Sequence, residues 1–309
     1  MIPVFFKEMS DNFGRRRFLL IEGIIIFAAM WAGYVAIRSI RGEVDETVVS
    51  DLLFLNVFTS DSGFLPSFLF FVSFFGPLIA ITLGFDTING ERTQGTLARV
   101  LAQPIYRDAL FNGKFLAGVT TITVIVLAID LLIIGLGMSI LEFPPSDEAL
   151  IRIGLFSLIT VVYLSFWLAV AMLTSVWFRS AVASALTSLA LWLFFGFVVL
   201  MLSGTIAEVA VRDTSTQDLE VQQVLVRQTV ARISPVTLFQ EATSAILDPT
   251  TRNVGPVLVQ KVEGLQAFRP LPIADSVKLV WPHFVVIFAL TGICFGLSYI
   301  RFLREEVRA

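Results

Sequence analysis

FDTINGERTQGTLARVLAQPIYRDALFNGK, residues 85–114, is a polar insertion between two long apolar runs. Within it, Leu97, Val100 and Leu101 recur at i, i+3 and i+4, with Arg92 and Arg99 as polar neighbours. That spacing predicts a short amphipathic helix. It should end before Pro104, because the residue preceding a proline is pushed out of the helical region. A second turn through Tyr106, Arg107 and Asp108 then leads to the next apolar run at Lys114. Such a helix, lying parallel to a membrane between two spans, can dock in a groove of a cytoplasmic protein. It can also be an ordinary interfacial helix of a cytoplasmic loop.

The flanking sequence decides that a membrane is involved. The 309 residues are 56% hydrophobic and 15% charged, with a mean hydropathy of +0.83. Soluble domains carry about 25% charge, so this chain is too poor in charge to solvate a globular surface. The reading is an all-α polytopic membrane protein, a single domain over 1–309. The one cysteine, Cys294, excludes an intramolecular disulfide and a cysteine-based metal cluster. No cleavable signal peptide is expected, since the first apolar run is longer than a signal h-region of about 7–15 residues.

Six runs are long enough to cross a hydrocarbon core of about 30 Å. They lie near 18–37, 64–84, 115–138, 152–175, 182–204 and 281–300. Pro77 should perturb the second, which is tolerable where a neighbour satisfies the freed carbonyl. Residues 1–17 combine Lys7 and Arg15–Arg17 with Val4, Phe5, Phe6 and Met9. They read as a cytoplasmic amphipathic segment at the membrane surface or as a basic flank that fixes orientation. Arg92, Arg99, Arg107 and Lys114, the hairpin's Arg179, and Arg301, Arg304 and Arg308 fall on the same side as that flank. The short loops opposite hold only Arg38, Arg41 and Arg152. By the positive-inside rule both termini and 85–114 are cytoplasmic, in a multi-pass protein of the plasma or inner membrane.

The external loop, 205–280, should carry short helices before span six. Leu219, Val221, Val224, Leu225 and Val226 suggest an amphipathic segment over 217–233. Ser234-Pro235 reads as an N-cap followed by proline at the first helical position. That helix runs through Leu238, Phe239, Ala242 and Ile246 and stops at Asp248-Pro249. The expectation is a small external cap of short helices.

The string Phe85-Asp86 … Gly90-Glu91-Arg92 … Gly95-Thr96-Leu97 … Gln103-Pro104 … Arg107 … Gly113-Lys114 resembles the loop between the second and third membrane helices of type-2 ABC export permeases. The likeness extends to the six-span layout, Lys7-Glu8 ahead of the basic run, Phe178-Arg179-Ser180 and Ser234-Pro235. It is nearest the branch with copper-site-maturation and sodium-efflux permeases. The resemblance implies a permease subunit paired with a second one, as a homodimer or heterodimer, and two cytoplasmic ABC ATPase subunits driving the pair. It implies that 85–114 is the ATPase-coupling element. Glu91 and Arg92 would anchor the loop by polar contacts, Gly95 and Thr96 would form the turn into the coupling helix, and Leu97, Val100 and Leu101 would be its contact stripe. ATP and Mg are expected on the partner ATPase, with no cofactor, metal or nucleic acid on this chain.

The residues agree with a separate energy source. A P-loop requires G-x-x-x-x-G-K-[ST]. The only Gly-Lys pair is Gly113-Lys114, with Asp108 at the first glycine position and Phe115 after the lysine. No catalytic residues are expected, and ATP hydrolysis falls to the partner.

Ionisable residues within apolar runs are candidates for function. Asp130 lies about 22 Å along a helix from Phe115 at 1.5 Å per residue. It reads either as a cavity or subunit-interface residue, or as one bonded to a neighbouring helix. Ser184 and Thr187 on span five are further candidate cavity residues, or simply bond their own backbone. Glu22 reads as a partner of the basic flank or of a neighbouring helix, and His283, the sole histidine, as interfacial. Gly292 and Gly296 suggest close helix packing. Two other functions compete. An ion-gradient-driven transporter usually shows repeats and paired intramembrane charges. An intramembrane hydrolase needs two carboxylates or a Ser–His pair in a Gly-x-Ser-Gly context. The chain presents neither set.

Overall fold

A computed structural model describes residues 1–14, 16–43, 50–59, 67–93, 95, 106–211, 216–249 and 271–304. All regular structure among the described residues is helical. The helices are α1 (Ile2–Gly14), α2 (Arg16–Glu43), α3 (Ser50–Thr59), α4 (Phe68–Gly84), α5 (Asn89–Thr93), α6 (Arg107–Leu141), α7 (Asp147–Trp177), α8 (Ala181–Leu193), α9 (Val199–Ala210), α10 (Thr216–Ala231), α11 (Pro235–Leu247) and α12 (Ile273–Arg304). Five segments are long and apolar enough to span a membrane: Phe68–Thr93, Arg107–Leu141, Asp147–Trp177, Ala181–Ala210 and Ile273–Arg304. The first expected span falls within α2, where the run Gly23–Arg38 is a shorter apolar segment. Several helices outrun the expected spans, because polar first turns continue them beyond the apolar window. In α7, Ser146 accepts from the Ala149 amide, and Asp147 and Glu148 favour the positive end of the helix dipole.

α7 is the hub, packed by α4, α6, α8, α11 and α12 and mostly buried, whereas Ala181–Ala210 and Ile273–Arg304 are mostly exposed. Close approach to α7 depends on glycine. A Cβ on Gly84 would meet Ala171 Cβ at 2.6 Å and the Leu168 carbonyl oxygen at 3.0 Å. Backbone cannot swing aside as a side-chain tip can, so Gly84→Ala forces α4 off α7. We expect overpacking to cost about 1–3 kcal/mol, read as a lower unfolding midpoint of the detergent-solubilised chain. An unchanged midpoint would show that this crossing is not tight.

Two interruptions of helical bonding are repaired by distant residues. Pro77 lacks an N–H, which orphans the carbonyl of Ser73 one turn earlier. The Tyr163 hydroxyl donates to that carbonyl at 2.7 Å, and its ring stacks on Phe239 with centroids 4.2 Å apart. Between α8 and α9, Phe194–Val198 forms a π turn. The Ser234 hydroxyl donates to the Phe195 carbonyl there at 2.7 Å and accepts from the Val236 amide.

These bonds fix α11. The capping serine, the proline at the first helical position and the stop at Asp248 all fall where the sequence places them. The position differs from an outer cap. α10 folds back along α9, and α11 is wedged against α4, α7 and α12. Its start lies level with Tyr163, about 21 Å along α7 from Trp177 at the helical rise. Val236, Leu238, Phe239, Ala242, Ala245, Ile246 and Leu247 are all buried. Apolar on more than one face, α11 gains more from insertion than from lying on top.

Candidate functional site: the polar loop and its anchors

The polar loop is clamped where it leaves α4. The amides of Ile88 and Asn89 donate to Ser175 Oγ near the end of α7 at 3.1 and 3.3 Å. Arg92 Nη1 donates to the Phe178 carbonyl at 3.4 Å. Gly95 then turns the chain with φ +66°, a left-handed conformation that glycine adopts without a Cβ penalty. Thr96, Leu97, Val100 and Leu101 lie outside the described residues.

The centre of the clamp is Lys114 on α6. Its ammonium lies 2.9 Å from Glu91 Oε1 and 2.8 Å from Glu8 Oε1, and its side chain is 3% exposed. One buried cation therefore joins the loop, the first turns of α6 and the N-terminal helix. α1 is held along α6 by one face. Val4 packs where a Cβ on Gly113 would come within 3.0 Å, Glu8 bonds Lys114, and Asn12 Nδ2 donates to Thr121 Oγ1 at 3.2 Å. Ile2, Phe6 and Phe13 on α1 remain exposed. The sequence pointed to Glu91 as an anchor but did not give it a partner. Glu8 and Lys114 both stand in the quoted motifs, and their opposite charges were the available signal.

The remaining candidates fall elsewhere. Asp130 is buried on α6, receives a hydrogen bond from Ser157 of α7, and lines a cavity of about 30 Å³ with Ile25, Phe68, Gly76, Ile125 and Thr160. That volume holds roughly one water. Ser184 is fully buried in a hydroxyl cluster, with Thr174 Oγ1 3.0 Å from Ser184 Oγ and 2.7 Å from Ser188 Oγ. It ties α8 to α7. Thr187 is half-buried, and neither it nor Ser184 lines the Asp130 cavity. Glu22 lies on α2 with its side chain outside the described set. A Cβ on Gly292 or Gly296 would meet nothing within 4 Å, so these two positions are not close helix crossings among the described residues.

His283 is part of a buried network. Its Nε2 lies 2.9 Å from Glu241 Oε2, which also accepts from Arg232 Nε at 2.8 Å, while Gln228 Nε2 donates to Oε1 at 3.3 Å. Burial alone would push the Glu241 carboxyl up. The hydrogen bonds from His283, Arg232 and Gln228, together with the Arg232 charge, outweigh it and hold the carboxyl below its ordinary range. The network joins α10, α11 and α12. No cluster of three or more His, Cys, Asp or Glu side chains that could hold a metal occurs among the described residues.

The model of the family described as "ABC-2 family transporter protein" matches residues 2–307. The chain belongs to the ABC-2 transporter family. A probable ABC transporter permease protein of Pseudomonas aeruginosa, NosY, is 32% identical over 204 residues, which cover 61% of this chain and 64% of the relative. The match thus spans less than two thirds of that relative's length. Family and helices together make the chain a multi-pass membrane protein of ABC permease type. The clamp ties together the facing ends of two candidate spanning segments, Glu91 in Phe68–Thr93 and Lys114 in Arg107–Leu141, with Glu8 of α1 as the third member.

Proposed function

We propose that the chain is the permease subunit of an ATP-driven exporter, moved through residues 85–114 by a separate ATPase subunit. The observation that carries this reading is the Glu8–Lys114–Glu91 clamp. A loop that receives force has to be rigidly joined to the helices it moves, and this one is fixed to α1, α6 and the end of α7. Displacement of Leu97, Val100 and Leu101 by the ATPase would pass through Glu91 to Lys114 and α6, and through Ser175 and Phe178 to α7. Gly95 turns the chain at this anchored base, and Thr96 is the residue we assign to the entry of the coupling helix. ATP and Mg bind the partner, and hydrolysis occurs there.

The assembly is two permease subunits, identical or different, with two ATPase subunits. Each permease crosses the plasma or inner membrane six times, α2 supplying the first crossing, with both termini cytoplasmic. The exposed faces of Ala181–Ala210 and Ile273–Arg304, the latter carrying Gly292 and Gly296, supply surface for the second permease and for lipid.

The test is co-purification of the Leu97→Asp, Leu101→Asp chain with its ATPase. Truncating central interface residues typically costs about 2 kcal/mol each, so association should weaken far more than tenfold. Membrane insertion should be unchanged. Undiminished co-purification of the correctly inserted variant would overturn the coupling assignment.

A further inference from the structure

A groove runs along the membrane face between α2 and α6, with a volume of about 470 Å³. Gly23 and Tyr34 mark its two ends on α2, Phe27 and Trp31 lie between them, and Leu132 and Leu136 of α6 form the opposite wall. Gly23 to Tyr34 is about 16 Å of helix at 1.5 Å per residue, close to half of a hydrocarbon core about 30 Å thick. The groove is therefore one leaflet deep.

Its lining changes in character towards one end. Phe27 stacks with Trp31 at 6.5 Å and Trp31 meets Tyr34 at a tilt with centroids 5.9 Å apart, so the amphipathic rings of Trp31 and Tyr34 stand at this end, as at the interface of membrane proteins. One turn further, the exposed Arg38 lies over the Tyr34 ring, 5.5 Å from its centroid. No carboxylate among the described residues pairs with Arg38, and its guanidinium lies against the aromatic face of Tyr34. An apolar channel one leaflet deep, aromatics at its rim and a cation just beyond match the parts of a phospholipid in order. Ring stacking keeps the planar guanidinium in place, and a guanidinium can hold a phosphate through two parallel bonds.

We propose that this groove is a binding site for an anionic phospholipid, its acyl chain against Phe27, Trp31 and Leu132 and its phosphate at Arg38. The site is separate from the coupling loop and the Asp130 cavity and does not depend on the export reading. The bound lipid would fill the groove that opens on the membrane side of the α2–α6 seam.

The test uses the full chain in nanodiscs, with Trp31 fluorescence isolated as the difference between wild type and Trp31→Phe. Phosphatidylglycerol with brominated chains should quench Trp31 at about fivefold lower mole fraction than brominated phosphatidylcholine, the preference that one arginine near an anionic surface supplies. Arg38→Gln should erase that preference, Arg38→Lys should keep most of it, and millimolar inorganic phosphate should leave the quenching unchanged. Equal quenching by both lipids in the wild type, or a preference that survives Arg38→Gln, would reduce the groove to ordinary annular contact and overturn the site. Relief by inorganic phosphate would make it a free-anion site. Absence of quenching by either lipid would mean that a second copy covers the groove. Both outcomes also overturn it.

Discussion

Lys114→Met is expected to cost about 3–5 kcal/mol of stability, the usual penalty for breaking a buried ion pair by removing one partner. The cost lies in what remains. Glu8 and Glu91 keep side chains only 10% and 14% exposed and lose the cation that lay within 3 Å of both. Two carboxylates would then face each other across an apolar gap. Their repulsion, no longer offset by the ammonium between them, loosens α1 or the loop from α6, with Lys7 still 3.8 Å from Glu8 Oε1. We expect a lower unfolding midpoint, faster proteolysis within α1, and ATP turnover by the assembled complex that no longer depends on substrate. A triple variant, Glu8→Gln, Glu91→Gln and Lys114→Met, removes the two facing charges and should recover most of the midpoint, because well-packed neutral replacements of buried ion groups are tolerated. Coupling should stay impaired in the triple variant, since a gap closed by neutral contacts yields more readily than a charged bridge. A Lys114→Met chain with wild-type midpoint and turnover would remove the clamp from the proposal.

The second large effect is expected at Arg152. This side chain is fully buried in the second turn of α7. Nη1 donates to the Ile246 carbonyl at 2.9 Å and Ser276 Oγ at 3.3 Å, Nη2 to the Leu271 carbonyl, and Nε and Nη2 to Glu148. One guanidinium thus closes the last turn of α11 and holds the start of α12 against α7, and its charge sits favourably at the negative end of α11. Arg152→Met leaves two backbone carbonyls without donors, a loss of about 1–3 kcal/mol for each orphaned group. Hydrogen exchange should speed up most in α11 and the first turns of α12. Arg152→Lys should recover only part, because an ammonium lacks the planar fork that reaches all four partners. Exchange in α11 that matched the wild type would show that Tyr163 and Ser234 hold the helix without Arg152.

These two residues show how far the sequence could be read. Arg152 entered the reading as one of three basic residues on the sparsely charged side, and it lies in the second turn of α7. Its burial was not legible there, because an isolated arginine beside Glu148 looks like a solvated i, i+4 pair. Lys114 was legible as a basic residue at the start of an apolar run and as part of the motif with Glu91, yet its bond to Glu8 joins residues more than 100 positions apart. His283 is the same kind of case. It lies at the start of an apolar run and reads as interfacial, while its partner Glu241 lies on a helix expected outside the bundle. Ser184, a candidate for a cavity, bonds Thr174 across the α7–α8 contact.

What the sequence determined by itself was local or additive. Hydropathy summed over twenty residues separates membrane helices from loops. Ser234, Pro235 and Asp248 set the ends of α11 through bonds to atoms within a few positions, and Gly95 provides the turn that only a residue without a Cβ adopts freely. The tertiary structure alone decided which distant group satisfies each buried polar atom: Tyr163 for the carbonyl freed by Pro77, Ser234 for the one freed by the π turn, Lys114 for two carboxylates. The physical reason is one of range. Caps and hydropathy act within a turn or a helix. A buried charge or orphaned carbonyl can be answered from any helix that packing brings alongside, so residues 85–114 show that a polar loop is present but not what holds it.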